Sequence, residues 1–567
     1  MQTGFAMLTA GSVRSKNVMN VLLKNVLDCC TGALAYYLFG FAFAHGNEGN
    51  GILGYSQFAL TNNDEHSLAF FFFQWSLTAA SSTIVSGAIA ERASFYAYLL
   101  YSFLITGFMF PLVSHAVWDS KGFLSALNPK PLLGSGMIDF AGSAVVHAVG
   151  GLCGFWGAVI IGPRIGRFDV NGKPVAIAGH SASLVVLGSL LLWTGWFGFN
   201  SGSMLSVSTP ADHELFGGRS VLISTGETVL VSPTLTVTHC LVSTLLGGAA
   251  GALSGLVLSK CVLKLFDLVF IVNCLLSGLV SITAGCATFE PYVSLGVGSA
   301  GAVIYCASSH MMLFLRVDDP VDAVSVHFAC GVWGALATGL FSSERLQAIA
   351  GYPSRHYGVV YGGSGRLLLC QIIGVLCIVT VVSVVLPALF LLLRAINLLR
   401  VSAEQEQAGV DEFYHGGAAY PEDVSISPWD ASRSLTGFNE PDAVAPDDED
   451  GREDGDELFD RPVSQASSEQ QQQAHSAPLP FNTSAAPSAA PGSATSLALG
   501  RAYSTGGLEM TPALRFSRSD ITPHRPAALE SKQHLPRHQS LTGSARKDSD
   551  DAPSMLSVLH ADSSLAW

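Results

Sequence analysis

Two stretches of this 567-residue chain set an aspartate and a histidine into otherwise apolar sequence. The first, "DFAGSAVVHAVGG", carries Asp139, His147 and Gly151; the second, within "DDPVDAVSVHFACGVWGA", carries Asp319, His327 and Gly331. Both follow the spacing Asp-x7-His-x3-Gly. On a helix, eight residues place the histidine about 12 Å from its aspartate. With the aspartate at the edge of a ~30 Å hydrocarbon layer, the histidine falls near the middle. An imidazole at that depth can donate, accept or relay a proton, and ionisable groups there face a bundle interior or a pathway. Either histidine alone can equally be an interhelical hydrogen bonder; a matched pair argues for a pathway. Asp139, at a helix start, can cap backbone N–H groups, stabilise a cation from a distance, or do both. Asp319 and Asp322 are expected to cap and orient the helix that follows them.

The elements that hold these groups are apolar helices. Charged residues make up 13% of the chain, against roughly 25% in soluble domains. Up to about residue 400 the sequence is a string of apolar segments, and a bilayer span needs roughly 20 such residues. Ten candidates centre on 21–44, 66–89, 94–117, 138–162, 180–204, 234–258, 262–286, 290–315, 322–342 and 368–398. Ahead of them, "MQTGFAMLTAGSVRSKN" offers only about a dozen apolar residues, too few to cross; it reads as the second half of a truncated first helix. Counting it gives eleven helices. The two Asp–His motifs fall on the fifth and tenth, which run in opposite directions, and inverted repeats with functional groups near the midplane mark transporters. The fold class is therefore an all-α polytopic membrane protein with an inverted five-helix repeat.

Loops holding Arg14 and Lys16, Glu91 and Arg92, Arg164, Arg167 and Lys173, Lys260 and Lys264, and Arg316 alternate with cation-poor loops. Cation-rich loops stay in the cytoplasm, which puts the N-terminus outside and the C-terminus inside a multi-pass cell-membrane protein. Three regions follow: a transmembrane domain over 1–400, a proximal segment over 401–420, and a disordered acidic and Ser-rich cytoplasmic tail over 421–567. That tail ("PDDEDGREDGDE", "SSEQQQQ") accounts for much of the net charge of −14, which argues against a nucleic-acid partner. In it, "RFSRSDITPHR" is a candidate for kinases or other cytoplasmic regulators, and the sequon Asn482-Thr483-Ser484 would go unused on that side of the membrane. The eleven cysteines show no paired zinc spacing. No H-E-x-x-H or G-x-S-x-G motif occurs, and two histidines with remote aspartates make a poor metal site. An enzyme is disfavoured, and no metal or cofactor is implied.

The stretch "GSGMIDFAGSAVVHAVGGLCGFWGAVIIGPR" resembles the signature of the Amt/Mep/Rh ammonium transporter family, in its plant-type Amt branch. "SGAIAERASFYAYLLYSFLITGFMFPLVSHAVW", "GWFGFNSGS" and "VDDPVDAVSVHFACGVWGALATGLF" extend the similarity from about Gly4 to Tyr420. The resemblance implies an eleven-helix protomer assembled as a homotrimer in the lipid bilayer. Each protomer would have its own narrow pore for ammonium or ammonia, with methylammonium as a possible second substrate. His147 and His327 match the family's paired pore histidines. Trp118, Ser203 and Asp139 match the outer site that recruits the cation, and Phe199 matches the inner ring of the gate. The position of the outer gate ring falls on Leu77, which is not aromatic. Gly409 and Asp411, in "AGVDEFYHGGAAY", match the regulatory segment, whose phosphorylatable threonine is Phe413 here.

The chemistry implied is selective conduction. An aromatic face attracts ammonium by up to ~2 kcal/mol when desolvated, and a serine hydroxyl can accept one of its N–H bonds. Deprotonation costs about 1.4 kcal/mol per pK unit, less than carrying a full charge through an apolar pore. Two neutral imidazoles can share a hydrogen bond and pass ammonia between them. Trp118 as an interfacial anchor, Ser203 as an interhelical hydrogen bonder and Phe199 as core packing remain the alternatives, as does a sensor that scarcely transports.

Overall fold

A computed structural model of the chain describes residues 1–62, 65–205, 220–353 and 356–420, all within one compact unit. The expectations made for 421–567 fall outside the described residues. Eleven helices organise the unit: α1 (Gln2–Ser12), α2 (Ser15–His45), α3 (Ser67–Ala88), α4 (Phe95–Trp118), α5 (Ser143–Ile161), α6 (Ala182–Gly202), α7 (Pro233–Leu263), α8 (Leu268–Ile282), α9 (Pro291–Phe314), α10 (Val324–Phe341) and α11 (Arg366–Ala395). Nine of those described are long and apolar enough to span a bilayer. The only strands among the described residues are Ser220–Leu222 and Thr228–Leu230, an antiparallel pair with Val221 opposite Val229.

Helix starts follow local chemistry. Ser94, Ser181 and Ser232 each accept a backbone N–H of the first turn of α4, α6 and α7, as N-cap serines do. Proline opens α7 and α9, where its missing N–H costs nothing. Between α7 and α8 the boundary departs from the sequence expectation. Helix α7 runs on to Leu263 and ends at Lys264, whose φ of +64° breaks the turn; Asp267 then caps α8 from Phe270 N at 2.8 Å. The eighth helix is thus shorter than its apolar run, because a capping aspartate and a left-handed residue override apolarity.

The surface is inverted relative to a soluble protein. Leu253, Phe72 and Val384 stand 64–67% exposed on α7, α3 and α11, while serine, threonine, asparagine and both motif histidines are buried. Small residues bring the backbones together. Gly188 of α6 lies against Leu8 N and Gly4 O of α1, and Gly247 on α7 meets Gly278 on α8 and Gly298 on α9; this is how helices pack where lipid offers no hydrophobic drive.

Four loops meet on one face. Arg14 pairs with Glu91 at 2.5 Å, Arg164 with Asp318 at 2.8 Å and with Glu91 at 3.3 Å, and Arg167 with Asp318 at 3.2 Å. Buried Arg92 donates to Gly162 O at 2.8 Å and Asp318 O at 2.6 Å. Residues 401–420 lie on this same face. Glu406 accepts from Ile165 N at 2.7 Å and pairs with Arg400, and Asp411 accepts from Met19 N and Asn20 N at 2.9 and 2.8 Å, capping α2. We call it the tail face; Trp118 and Ser203 end their helices on the opposite side.

Candidate functional site

Helices α5 and α10 pack antiparallel through their motif glycines, Gly151 against the residue that follows His327 and Gly331 against the residue that follows His147. The approach sets the two imidazoles face to face, with ring centroids 5.2 Å apart and planes 14° from parallel. His147 has no accessible surface and His327 is 5% exposed. Both sit in wide π-helical turns, Ser143–Ala148 and Val324–Ala329, a local widening often found at functional sites. The rings stack instead of sharing the hydrogen bond expected between them. Nδ1 and Nε2 of His147 and Nδ1 of His327 have no hydrogen-bond partner among the described residues. Buried polar atoms left in that state call for an explanation.

Three aromatic rings complete the surroundings. Trp196 stacks on His147 at 5.0 Å and 18°, Phe199 lies 5.7 Å from it, and Phe5 of α1 lies 6.0 Å from His327. Trp196 is fixed by its Nε1, which donates to Thr283 Oγ1 at 2.9 Å. Trp196 and Phe5 were missed in the sequence. Trp196 could have been found, since it precedes Phe199 by three residues and so shares its helix face; nothing local singles out Phe5. Towards the tail face, His327 shares a narrow space with Phe5, Thr83, Ile84, Asn273 and Val326.

At the opposite end Asp139 does what a helix start favours. Its carboxylate accepts from Gly142, Ala144 and Val145 N at 3.1, 2.9 and 2.8 Å, while its carbonyl takes the Trp118 indole N–H at 2.6 Å. Gly142 allows this with φ of +102°, and a side chain there would press on the Trp118 ring and Val146. Asp319 mirrors the cap, accepting from Val324 N at 2.7 Å. Asp322 turns to α9 instead, taking bonds from Tyr305 at 2.8 Å and Ser309 at 3.1 Å, so it orients a neighbour and does not cap.

The other expected residues are dispersed around this axis. Ser203 ends α6 and donates to Phe199 O at 2.9 Å, which leaves its lone pairs free to accept; no bond joins it to Trp118 among the described residues. Leu77 is 1% exposed within the main core. Of the rings near it in sequence, Phe71 packs on Tyr36 and Phe41, Phe72 points outward and Phe73 lies under Gly202, beside Ser203. Gly409 and Asp411 lie on the tail face, remote from the histidines. No cluster of metal-ligating side chains occurs among the described residues.

A bundle with an apolar outer surface, an antiparallel helix pair and two stacked histidines at its centre defines a polytopic membrane transport protein. The profile of the Ammonium Transporter Family matches residues 1–420. The chain is 46% identical over 441 residues to ammonium transporter 1 member 2 of Oryza sativa subsp. japonica, covering 76% of this chain and 85% of that one. It is 45% identical over 435 residues to ammonium transporter 1 member 2 of Arabidopsis thaliana, covering 74% and 82%. Among solved structures, a protein titled Sensor Amt Protein is 28% identical with a TM-score of 0.61, covering 73% of this chain and 94% of its own. Mep2 of Saccharomyces cerevisiae has the same fold, with a TM-score of 0.62 at 24% identity over 75% and 89% of the two chains. The chain belongs to the ammonium transporter family.

Proposed function

We propose that each protomer conducts ammonia through the passage between Trp118 and the tail face, with the proton of ammonium crossing separately. Ammonium is recruited against the Trp118 ring and the Ser203 hydroxyl, with the Asp139 carboxylate behind them. It sheds its proton beside Phe199 and Leu77, and ammonia passes the two histidines as a neutral molecule. The tail face is cytoplasmic, α1 runs towards it from the outer side, and three copies form the working unit. Residues 401–420 act as a regulatory segment.

The observation that carries this reading is the buried stack of His147 on His327 with unpaired ring nitrogens in an aromatic sleeve. Ammonia can donate to and accept from such nitrogens. An alkali cation has no proton to leave behind and meets the full cost of an apolar passage. Replacing either histidine by aspartate would set a fixed negative charge there. The ammonium-to-potassium current ratio of His147→Asp and His327→Asp, normalised to protein at the membrane, is expected to fall. An unchanged ratio with substantial current in both variants would rule out the pore role.

A sensing role is the second reading, favoured by the likeness to the protein titled Sensor Amt Protein. Uptake of isotope-labelled ammonium into liposomes separates the two: a sensor moves little, a transporter fills the vesicle.

A further inference from the structure

Asp28 stands in the interior of α2 with no accessible surface, and the passage described above makes no use of it. Hydroxyls from two other helices surround its carboxyl group. Ser82 and Ser102 donate to Oδ1 at 2.8 and 2.5 Å, and Thr83 bonds Oδ2. Among the described residues no cationic side chain stands within ion-pair distance of it. Lys24, one turn earlier on the same helix, gives its ammonium to Ala93 O at 2.8 Å and lies over the Tyr98 ring. The remaining ionisable groups around Asp28 are Cys29 on α2 and Tyr98 and Tyr101 on α4, with the Met1 amino group beyond Cys29. Helix α3 contributes hydroxyls, and α1 contributes the Gln2 amide, 2.8 Å from Thr83 Oγ1.

A carboxylate without water or counter-charge is costly at membrane depth. Three hydroxyls can donate to its ionised form, and the same hydroxyls can accept from its acid form, so the site can hold the group in either state. Thr83 connects it to the pore, because this residue also lines the space beside His327 on the tail side. We infer that Asp28 is a proton-binding site opening onto the pore through Thr83. It takes up the proton separated from ammonium while ammonia passes the histidines.

The step balances. A protonated water or imidazolium in that space gives a proton to Thr83 Oγ1 as the hydroxyl's own proton passes to Asp28 Oδ2. The carboxylate becomes the acid and Thr83 is unchanged. The reverse path returns the proton to water on the tail side, where it recombines with ammonia. A purely structural Asp28, tying α2 to α3 and α4, predicts no such exchange.

The inference rests on the separate crossing of ammonia and proton proposed above. The test reconstitutes the full-length wild type, Asp28→Asn and Thr83→Val in liposomes and measures ammonium-evoked current with isotope-labelled ammonium uptake. In both variants the charge moved per nitrogen is expected to fall to less than half the wild-type value, whatever happens to the uptake rate. Infrared difference spectra on adding ammonium should show a carboxylic-acid band in wild type that both variants lose. Thr83→Val keeps Asp28, Ser82 and Ser102 in place, so it decides the matter even if Asp28→Asn misfolds. Wild-type charge per nitrogen in Thr83→Val overturns the inference while leaving the pore reading intact. A wild type that takes up ammonium but moves no charge overturns the separate crossing itself.

Discussion

Gly151 on α5 lies so close to Phe328 on α10 that a methyl group added to it would stand 2.4 Å from the Phe328 backbone nitrogen. Across the repeat, a methyl group on Gly331 would meet Ser143 O at 2.4 Å and Ala148 N at 2.9 Å. Each glycine thus admits the backbone beside the opposite motif's histidine, and the spacing Asp-x7-His-x3-Gly becomes a packing rule.

Gly151→Ala and Gly331→Ala are therefore expected to push the helices apart and separate the imidazoles. Overpacking of this kind costs about 1–3 kcal/mol. Both variants should melt earlier in detergent and lose most ammonium flux. Wild-type flux in either would mean that the close approach does not set the histidine geometry.

Leu77→Phe is expected to strengthen the entrance of the pore. An added ring face attracts a cation by about 0.5–2 kcal/mol, or roughly two- to thirtyfold in apparent affinity. Apparent KM for ammonium should fall and the rate should change, with the ammonium-to-potassium ratio nearly constant. If both Leu77→Phe and Phe199→Ala leave flux unchanged, neither position belongs to a gate.

Asp318 anchors the tail face. Burial by itself would raise its pKa. The bonds from Arg164 and the charges of Arg92 and Arg164 outweigh that and hold the carboxyl well below its ordinary value of 3.8. Its stabilising contribution is complete above that ordinary value and is lost only as pH falls further, through the depressed one. Asp318→Asn takes a carboxylate from half-buried Arg167 and leaves buried Arg164 with Glu91 alone; removing one partner costs about 3–5 kcal/mol in comparable buried pairs. The drop in melting temperature should be equal at about pH 7 and about pH 5. A drop that shrinks at the lower pH would show that Asp318 titrates in between.

Gly409 adopts φ of +116°, and a side chain there would stand 2.7 Å from Lys16 Cβ and 2.9 Å from Lys16 O. Gly409→Asp is expected to lift the adjoining segment, releasing Asp411 from the start of α2, and to cut transport severalfold at matched surface expression. Deleting everything after Tyr420 should spare transport. Equal activity of Gly409→Asp and wild type would mean that docking of 401–420 has no bearing on conduction.

The sequence by itself determined the apolar helices and the pairing of the two Asp–His motifs on helices of opposite direction. Long apolar runs have one solution in lipid, where every backbone group must be satisfied within its own helix. The eight-residue step from Asp139 to His147 and from Asp319 to His327 is helical only in its second half, since α5 begins at Ser143 and α10 at Val324, so the full helical rise expected from spacing is not reached. The capping role open to Asp139 was legible, being local. What only the tertiary structure decided is lateral. The stacking of the imidazoles, the Trp196 and Phe5 rings beside them, the turn of Asp322 towards α9 and the Thr83 link to Asp28 all depend on which helix face meets which. Periodicity cannot supply that in a membrane helix, because the lipid-facing and core-facing sides are both apolar. There, glycine positions such as Gly151 and Gly331 select the contact, and their partners lie on helices far away in sequence.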